Sequence, residues 1–219
     1  TPRITQEVMI DPKVSGWHST GLYAVAGEPI TLTIPAGQVD AGLSVRIGCH
    51  TDTLYHLDKW LRAPDITKSE LIAAAETKTA SAFGGLIYID VPRRAADGQP
   101  FTVTIAGGVP APLFVLGKTT DEEWNAEVKK RPAPWAEFVC DKVVLSAPAE
   151  AARTVTTPTM LMEFWKKAIE VQDDISNQAK DRTRPERIAA DVQISAGYMH
   201  SGYPIMVPVS AAEEMVTFG

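Results

Sequence analysis

The sequence predicts an α+β protein, with an antiparallel β-sandwich over residues 1–117 and a part of mixed helices and strands over residues 118–219. In the first part, short runs of alternating apolar and polar residues are separated by Gly and Pro, which is typical of strands joined by turns. In the second part, helix-start signals precede apolar residues spaced by three and four, which is typical of amphipathic helices.

Residues 17–35 show the strand pattern most clearly. An apolar run at residues 22–24 is followed by Gly27, which tolerates a positive φ, and by Pro29, which fixes its own φ. Apolar residues then alternate with threonines over residues 30–34, so one face of this second strand is expected to be buried. We therefore predict a β-hairpin in which these two strands pair with each other.

Further strands of the first part are predicted at residues 42–48, 86–91, 101–105 and 113–116. Turns are predicted at the glycine-containing pairs 84–85, 97–98 and 107–108. One interruption, residues 67–75, contains helix formers and predicts a short helix.

The second part opens with a doubled capping box at residues 119–123, where two threonines precede two glutamates by three positions. This pattern predicts a helix over residues 121–130. A buried strand is predicted at residues 138–145, and Ser146 is expected to cap a short helix that begins near Pro148.

A longer helix is predicted to begin at Thr157 and Pro158 and to end near residue 181, because Thr is a good N-cap and Pro fits the first helical position. The spacing predicts that its inward face contains Leu161, Phe164, Ala168, Val171 and Ile175. A strand at residues 188–194 and a helix start at residues 211–216 complete the chain.

Composition argues against two classes of partner. The net charge of −6 at pH 7 leaves no basic surplus to neutralise nucleic-acid phosphates. No apolar run approaches the ~20 residues that a transmembrane helix needs. We therefore expect no nucleic-acid partner and no transmembrane segment.

The two cysteines, Cys49 and Cys140, lie far apart in the sequence and are predicted to be buried free thiols.

Several ordered segments resemble one protein family. They read GLYAVAGE at residues 21–28, VRIGCHTD at 45–52, AFGGLIYIDVP at 82–92, RPAPWAE at 131–137, and RPERIAADVQIS at 184–195, followed by GYMHSGYP. They resemble the enhancin-like zinc metallopeptidases, which include viral enhancins and bacterial mucin-degrading proteases. The first segment departs from the family, since Val25 and Ala26 stand where two prolines are expected.

The resemblance implies that the second part is the start of an α/β zincin-like catalytic lobe, and that the parent protein hydrolyses peptide bonds in secreted or cell-surface glycoproteins such as mucins. Such enzymes hold zinc with an H-E-x-x-H helix, whose two His bind the metal while the Glu acts as general base. This chain has four His, at 18, 50, 56 and 200, and none forms that motif. We therefore expect zinc in the full-length parent, the rest of the catalytic domain after Gly219, and no catalysis by this chain alone.

Two groups of residues each allow two interpretations. Cys49, His50 and His56 are close in sequence, but a zinc site built on them lacks a fourth ligand, and a strand-end His and a surface His explain them as well. Tyr198, His200 and Tyr203 lie in a glycine-flanked stretch and are candidate substrate-binding residues, because such loops can line a cleft. The alternative is a turn whose aromatic rings fill the core.

Two other functions compete with a peptidase fragment. The β-sandwich is a candidate glycan- or protein-binding module that acts by itself. The chain is also a candidate member of the same family without catalysis, serving as an interaction scaffold. An H-E-x-x-H motif in the parent favours the peptidase, and glycan binding by the fragment favours the module.

Overall fold

The computed structural model describes residues 1–93, 98–178 and 182–217. It is a mixed α/β structure in which strands outnumber helices. The strands are β1 (Ile4–Ile10), β2 (Gly16–Ala24), β3 (Ile30–Thr33), β4 (Ser44–Ile47), β5 (Lys68–Leu71), β6 (Glu76–Thr79), β7 (Gly85–Val91), β8 (Phe101–Pro110), β9 (Leu113–Val115), β10 (Trp135–Val139), β11 (Val143–Pro148), β12 (Glu186–Asp191) and β13 (Ile205–Pro208). The α-helices are α1 (Asp121–Ala126), α2 (Ala149–Thr154), α3 (Pro158–Ser176) and α4 (Ala212–Val216).

The chain divides into two compact units. The first contains residues 1–48 and 66–110, and the second contains residues 49–65 together with residues from 111 onward. The second unit thus includes a segment from early in the sequence. The boundary at residue 117 stays a prediction. Position 97 of one predicted turn and the predicted helix end near residue 181 lie outside the described residues.

Strand β8 organises the sheet of the first unit. That sheet has the order β5-β4-β7-β2-β8-β3-β6, and β1 also pairs with β8. All pairings within it are antiparallel. Strand β2 pairs with the last residues of β8, whereas β3 pairs with residues 104–106 of β8. The predicted hairpin is therefore wrong, because β2 and β3 each pair with β8 and not with each other.

Gly107 explains why β8 serves both neighbours. Gly107 and Gly108, predicted to form a turn, lie inside the ten residues of β8. Gly107 has a φ of +94°, and a Cβ atom there would lie 2.8 Å from the Pro29 carbonyl oxygen. The missing side chain permits this close approach and lets the strand continue. Hydrogen bonds consequently join all eight strands into one sheet, and the two-sheet sandwich stays a prediction.

The second unit contains a five-stranded sheet of order β13-β12-β11-β10-β9. Its pairings are parallel except for β10 with β11, which form a hairpin. The single strand predicted at residues 138–145 is therefore two strands, closed where the Cys140 N–H donates to the Val143 carbonyl. Strand β9, predicted to close the first part, belongs to this sheet instead. The helix predicted at residues 67–75 is also wrong, since β5 lies there and pairs with β4.

The capping box predicted at Thr120 is confirmed, whereas the predicted Ser146 cap is wrong, because Ser146 lies inside β11 and α2 follows Pro148 without a side-chain cap. The Thr120 hydroxyl accepts from the Glu123 N–H at 3.1 Å, and the Glu123 carboxylate accepts from the Thr120 N–H at 2.9 Å. This capping box confirms the start of α1. Helix α3 begins at Pro158, as predicted, although the Thr157 side chain makes no capping hydrogen bond. It ends at Ser176, and the next residue, Asn177, has a left-handed φ of +54°.

The predicted inward face of α3 is partly wrong. Leu161 is buried, but Phe164 and Ile175 are 55% and 83% exposed. The buried stripe runs instead through Leu161, Met162, Ile169 and Asp173. Apolar spacing does not predict an aspartate on this face. Asp173 is nevertheless buried, because Arg182 pairs with its carboxylate. Nε of Arg182 lies 3.0 and 2.9 Å from the two carboxylate oxygens, and Nη2 also binds Oδ1. The buried stripe thus includes an aspartate and differs from the stripe that apolar spacing predicts.

One hydrophobic cluster covers a single face of the second sheet. It contains alternate residues of the strands, such as Phe138, Leu145 and Ile188, together with residues of all four helices.

Among the described residues, no helix is long and apolar enough to cross a membrane.

We predict that Leu161→Ala lowers the free energy of unfolding by ~2–5 kcal/mol, because it leaves a cavity in this cluster. Phe164→Ala is the matched control on the same helix, and we expect it to cost less than about 1 kcal/mol because its ring is exposed. Urea denaturation followed by circular dichroism measures both. Equal losses would contradict the orientation of α3.

Candidate functional site

The site is built around β12, which carries buried polar residues on one face. Ile188 and Ala190 point into the hydrophobic cluster, whereas Arg187 and Asp191 alternate with them on the other face. The Arg187 guanidinium pairs with the Glu137 carboxylate of β10, and both side chains are almost fully buried. The Ser146 hydroxyl of β11 donates to the same carboxylate oxygen at 2.8 Å. This face of the sheet is therefore buried and polar.

Arg62 binds Asp191, the last residue of β12. Its Nε lies 3.0 Å from each carboxylate oxygen, and Nη2 lies 2.7 Å from Oδ2. The side chains are only 8% and 2% exposed. The remaining donors of Arg62 reach backbone carbonyls, at 3.0 Å for Asp52 and 2.8 Å for Ala63. Every polar group of this buried pair is thus offered a partner, which a buried charge requires.

His50 adds a second attachment between residues 49–65 and β12. Its Nε2 lies 3.1 Å from the carbonyl oxygen of Ala190, so that nitrogen carries the proton and donates. Its ring meets Trp135 of β10 edge-on, with centroids 4.4 Å apart. Residues 49–65 are therefore fixed to the strands of the second sheet at both a charged and an aromatic contact.

The loop after β12 is bound by the same segment. The Gln193 side chain accepts from the Leu61 N–H at 2.6 Å and donates to the Lys59 carbonyl at 2.8 Å. His56 Nε2 lies 3.0 Å from the Ser195 carbonyl oxygen. The buried Asp52 carboxylate accepts from the Ser195 N–H at 2.6 Å. Residues 192–195 and 49–65 together form one polar surface at the carboxyl end of β12.

His200 is the most distinctive group at this surface. Its Nε2 lies 2.8 Å from the Asp52 carboxylate, and its Nδ1 lies 3.1 Å from the Ser201 carbonyl oxygen. Both ring nitrogens face acceptors, so the geometry favours the doubly protonated ring. The Asp52 carboxylate and the Ser201 carbonyl accordingly raise the pKa of His200 above its usual 6.5, against the opposing effect of partial burial.

Asp52, His200 and Ser195 do not form a nucleophilic triad. The Ser195 hydroxyl lies 3.2 Å from His200 Nε2, the nitrogen that already binds Asp52. In a triad the carboxylate binds one ring nitrogen and the serine the other, so that the ring can accept the hydroxyl proton. Here the second nitrogen faces a carbonyl, which leaves no base for Ser195. The arrangement holds a loop and does not activate a nucleophile.

The three candidate substrate-binding residues lie together in residues 197–204, which we call the strap. Tyr198 is 63% exposed. His200 faces Asp52, and its backbone pairs with that of Met206 in β13, with both hydrogen bonds at 3.3 Å. Tyr203 is half-buried, with the Arg184 guanidinium 3.5 Å from its ring centroid. Of the three residues, Tyr198 is thus the one whose side chain is mostly exposed to solvent.

Exposed apolar side chains occur both in residues 49–65 and in the strap. Tyr55 and Trp60 are 69% and 54% exposed, and their rings meet edge-on with centroids 6.2 Å apart. Leu61 and Met199 are also exposed. Large exposed apolar groups of this kind are typical of binding surfaces.

The residues present do not fit zinc. Within the described ranges, no three His, Cys, Asp or Glu side chains come together as a metal-binding group. His50 and His56 each use Nε2 on a backbone carbonyl, and His200 uses both nitrogens. Cys49 and Cys140 are buried free thiols, as predicted.

No sequence motif predicts a site role for Arg62, Asp52, Asp191 or Ser195. Asp52 lies in the segment VRIGCHTD, and Asp191 and Ser195 lie in RPERIAADVQIS, so the family resemblance is the signal that points to these three residues. Arg62 and Asp191 stand 129 positions apart, so no local pattern relates them.

Both parts of the chain match models of one protein family. Residues 107–219 match the family model described as peptidase M60, enhancin and enhancin-like, and residues 1–106 match the N-terminal domain of M60-like peptidases. TRPM8 channel-associated factor 2 of Mus musculus is 40% identical over 201 residues, which are 92% of this chain and 22% of that protein. The chain thus spans about a fifth of the length of the curated relatives it matches.

Solved structures share the fold at low identity. The M60 catalytic domain of Clostridium perfringens ZmpC, in complex with the sialyl T antigen, is 13% identical with a TM-score of 0.73, covering 96% of this chain and 49% of that one. A mutant of a functionally unknown conserved protein from Bacillus anthracis is 19% identical with a TM-score of 0.74, covering 98% of this chain and 46% of that one.

We predict that Arg62→Ala lowers the free energy of unfolding by ~3–5 kcal/mol, because it leaves the buried Asp191 carboxylate without its charged partner. The double variant Arg62→Ala with Asp191→Ala should recover part of that loss, since it removes the unpaired charge. Arg3→Ala is the matched control, because Arg3 binds Glu28 through two nitrogens in an exposed pair. Denaturant titration compares the three, and a loss for Arg62→Ala no greater than for Arg3→Ala would contradict the assigned role.

Proposed function

Because the chain belongs to the peptidase M60, enhancin and enhancin-like family, we propose that it forms the first part of a zinc metallopeptidase that cleaves secreted or cell-surface glycoproteins, mucins included. The family match over residues 107–219 is the observation that carries this proposal. The ZmpC catalytic domain, which shares the fold, is described in complex with a sialylated glycan. That complex supports a glycoprotein substrate.

The proposal assigns substrate contact and support to this chain, and the metal to residues outside it. No H-E-x-x-H motif is present among the 219 residues, and the described His and Cys side chains do not fit zinc. The chain by itself is therefore proposed to be without peptidase activity. In the proposed architecture, residues 1–117 form a β-sandwich module and residues 118–219 begin a zincin-like catalytic lobe.

Tyr198 is the proposed substrate-contacting residue, because its ring is exposed, as are the rings of Tyr55 and Trp60. Aromatic rings offer an apolar face with a polar edge, which suits the mixed surface of a glycosylated peptide. His200 and Tyr203 are proposed to act on substrate indirectly, since their contacts with Asp52 and Arg184 hold the strap.

A scaffold function is the second candidate, and the names of the curated relatives favour it. Those proteins are called TRPM8 channel-associated factors. In that case the exposed apolar side chains of residues 49–65 and the strap contact a partner protein, and no catalysis follows.

The two candidate functions predict different zinc contents and different proteolytic activities for the parent protein. We expect the longer parent protein to bind one zinc per chain after dialysis and to digest mucin in a chelator-sensitive way. The isolated 219-residue chain should do neither. Atomic absorption and a gel-based mucin assay decide this. A parent without zinc or cleavage would favour the scaffold, and zinc-dependent cleavage by the isolated chain would overturn the placement of the metal.

Substrate contact by Tyr198 has its own test. We expect Tyr198→Ala to weaken binding of a mucin glycopeptide to the 219-residue chain by about tenfold, as for a moderately important interface residue. Phe83→Ala is the control, since Phe83 is a 50% exposed aromatic of the first unit. Isothermal titration calorimetry measures both affinities. Equal effects of the two variants, or none, would contradict the assignment.

A further inference from the structure

We propose that the strap is fastened by protonation of His200, so that residues 197–204 form a proton-dependent latch at the carboxyl end of β12. The inference does not rest on the proposed peptidase function. It rests on the two acceptors that face the imidazole and on the backbone contacts that follow from its position.

The acceptors make the latch depend on charge. A neutral imidazole has one N–H, so it can donate either to Asp52 or to the Ser201 carbonyl, but not to both. The nitrogen without a proton then turns a lone pair toward an oxygen that also carries one. The protonated ring donates to both and adds a charge-assisted bond to a buried carboxylate. Only the charged ring satisfies the closed geometry.

The other charged groups near His200 are engaged elsewhere, so the dependence on the charge of the ring comes from Asp52. From residues 49–65, Arg62 lies near the Asp52 carbonyl but is engaged by Asp191, so its charge is offset. His56 lies against the Ser195 carbonyl. On the other side, Arg184 stacks on Tyr203 of the strap. The Asp52 carboxylate is thus the acidic group in direct contact with the ring.

The sign of the pH effect follows from the raised pKa of His200. A group whose pKa is higher in the closed state contributes its full stabilisation below its ordinary value, about 6.5, and loses it as the pH rises through the higher value. The strap is therefore fastened in mildly acidic solution and loosens toward alkaline pH.

Loosening the strap uncovers the outer edge of β13. The N–H and C=O of Met206 point away from β12 and are paired only with His200 in the described contacts. Pro204 and Pro208 flank that position and have no N–H, so Met206 is the main hydrogen-bonding group on this edge. The proton thus controls access to an open strand edge.

Hydrogen exchange tests the latch. Protection factors, which divide out the intrinsic pH dependence of exchange, are measured by NMR on the 219-residue chain between pH 6 and pH 9. We expect the Ser195 and Met206 amides to lose protection by about tenfold for each unit by which the pKa of His200 exceeds its ordinary value. Amides inside β12, such as that of Ile188, should keep theirs and so report that the fold is intact.

Variants identify the group responsible. His200→Gln and Asp52→Asn should each abolish the pH dependence at Met206, and His56→Gln, a neighbouring His at the Ser195 carbonyl, should retain it. An NMR titration of the native imidazole provides a measurement that needs no variant to fold. A native His200 that titrates at or below 6.5, protection at Met206 that does not change with pH, or a pH dependence that survives in His200→Gln would each overturn the latch.

Discussion

The ion pair between Arg62 and Asp191 is the interaction on which the second unit depends most. Two charges that are almost fully removed from water are tolerable only when each is fully bonded. Arg62 meets this condition by binding both carboxylate oxygens and the carbonyls of Asp52 and Ala63. The same bonds fix the backbone around Asp52, which then receives the Ser195 N–H and the His200 imidazole. The geometry of the candidate site is thus a consequence of how one buried guanidinium is satisfied.

Strand β12 is held at both ends by pairs of the same kind. Arg182, just before the strand, binds Asp173 of α3, and Asp191, at its end, binds Arg62. Between them, Arg187 pairs with Glu137 across the sheet. Buried pairs contribute little net stability compared with apolar residues of similar size, but a wrong register leaves their charges uncompensated. Their combined effect is to define the position of β12, and with it the loop that carries the strap.

The sequence match shows the family of this chain, but it does not show an activity. The match over residues 107–219 shows the family, and the fold is shared with an M60 catalytic domain despite low identity. A fold can host both an enzyme and a binding protein, so activity has to be argued from the residues of a site. Here those residues form a polar attachment with exposed aromatic rings, and no group within the described ranges assembles a metal site. The family match therefore does not by itself assign an activity to these residues.

Local signals in the sequence were sufficient for the elements that depend on near neighbours. The capping box at Thr120 and the start of α3 at Pro158 involve contacts within a few residues, so the pattern predicts them directly. Pairing partners and buried faces were different. Strands β2 and β3 look like a hairpin, but each pairs with β8, because Gly107 lets that strand pass close to Pro29. Arg62 and Asp191 stand 129 positions apart, and burying such charges is favourable only once the chain has brought them together, which no local spacing encodes.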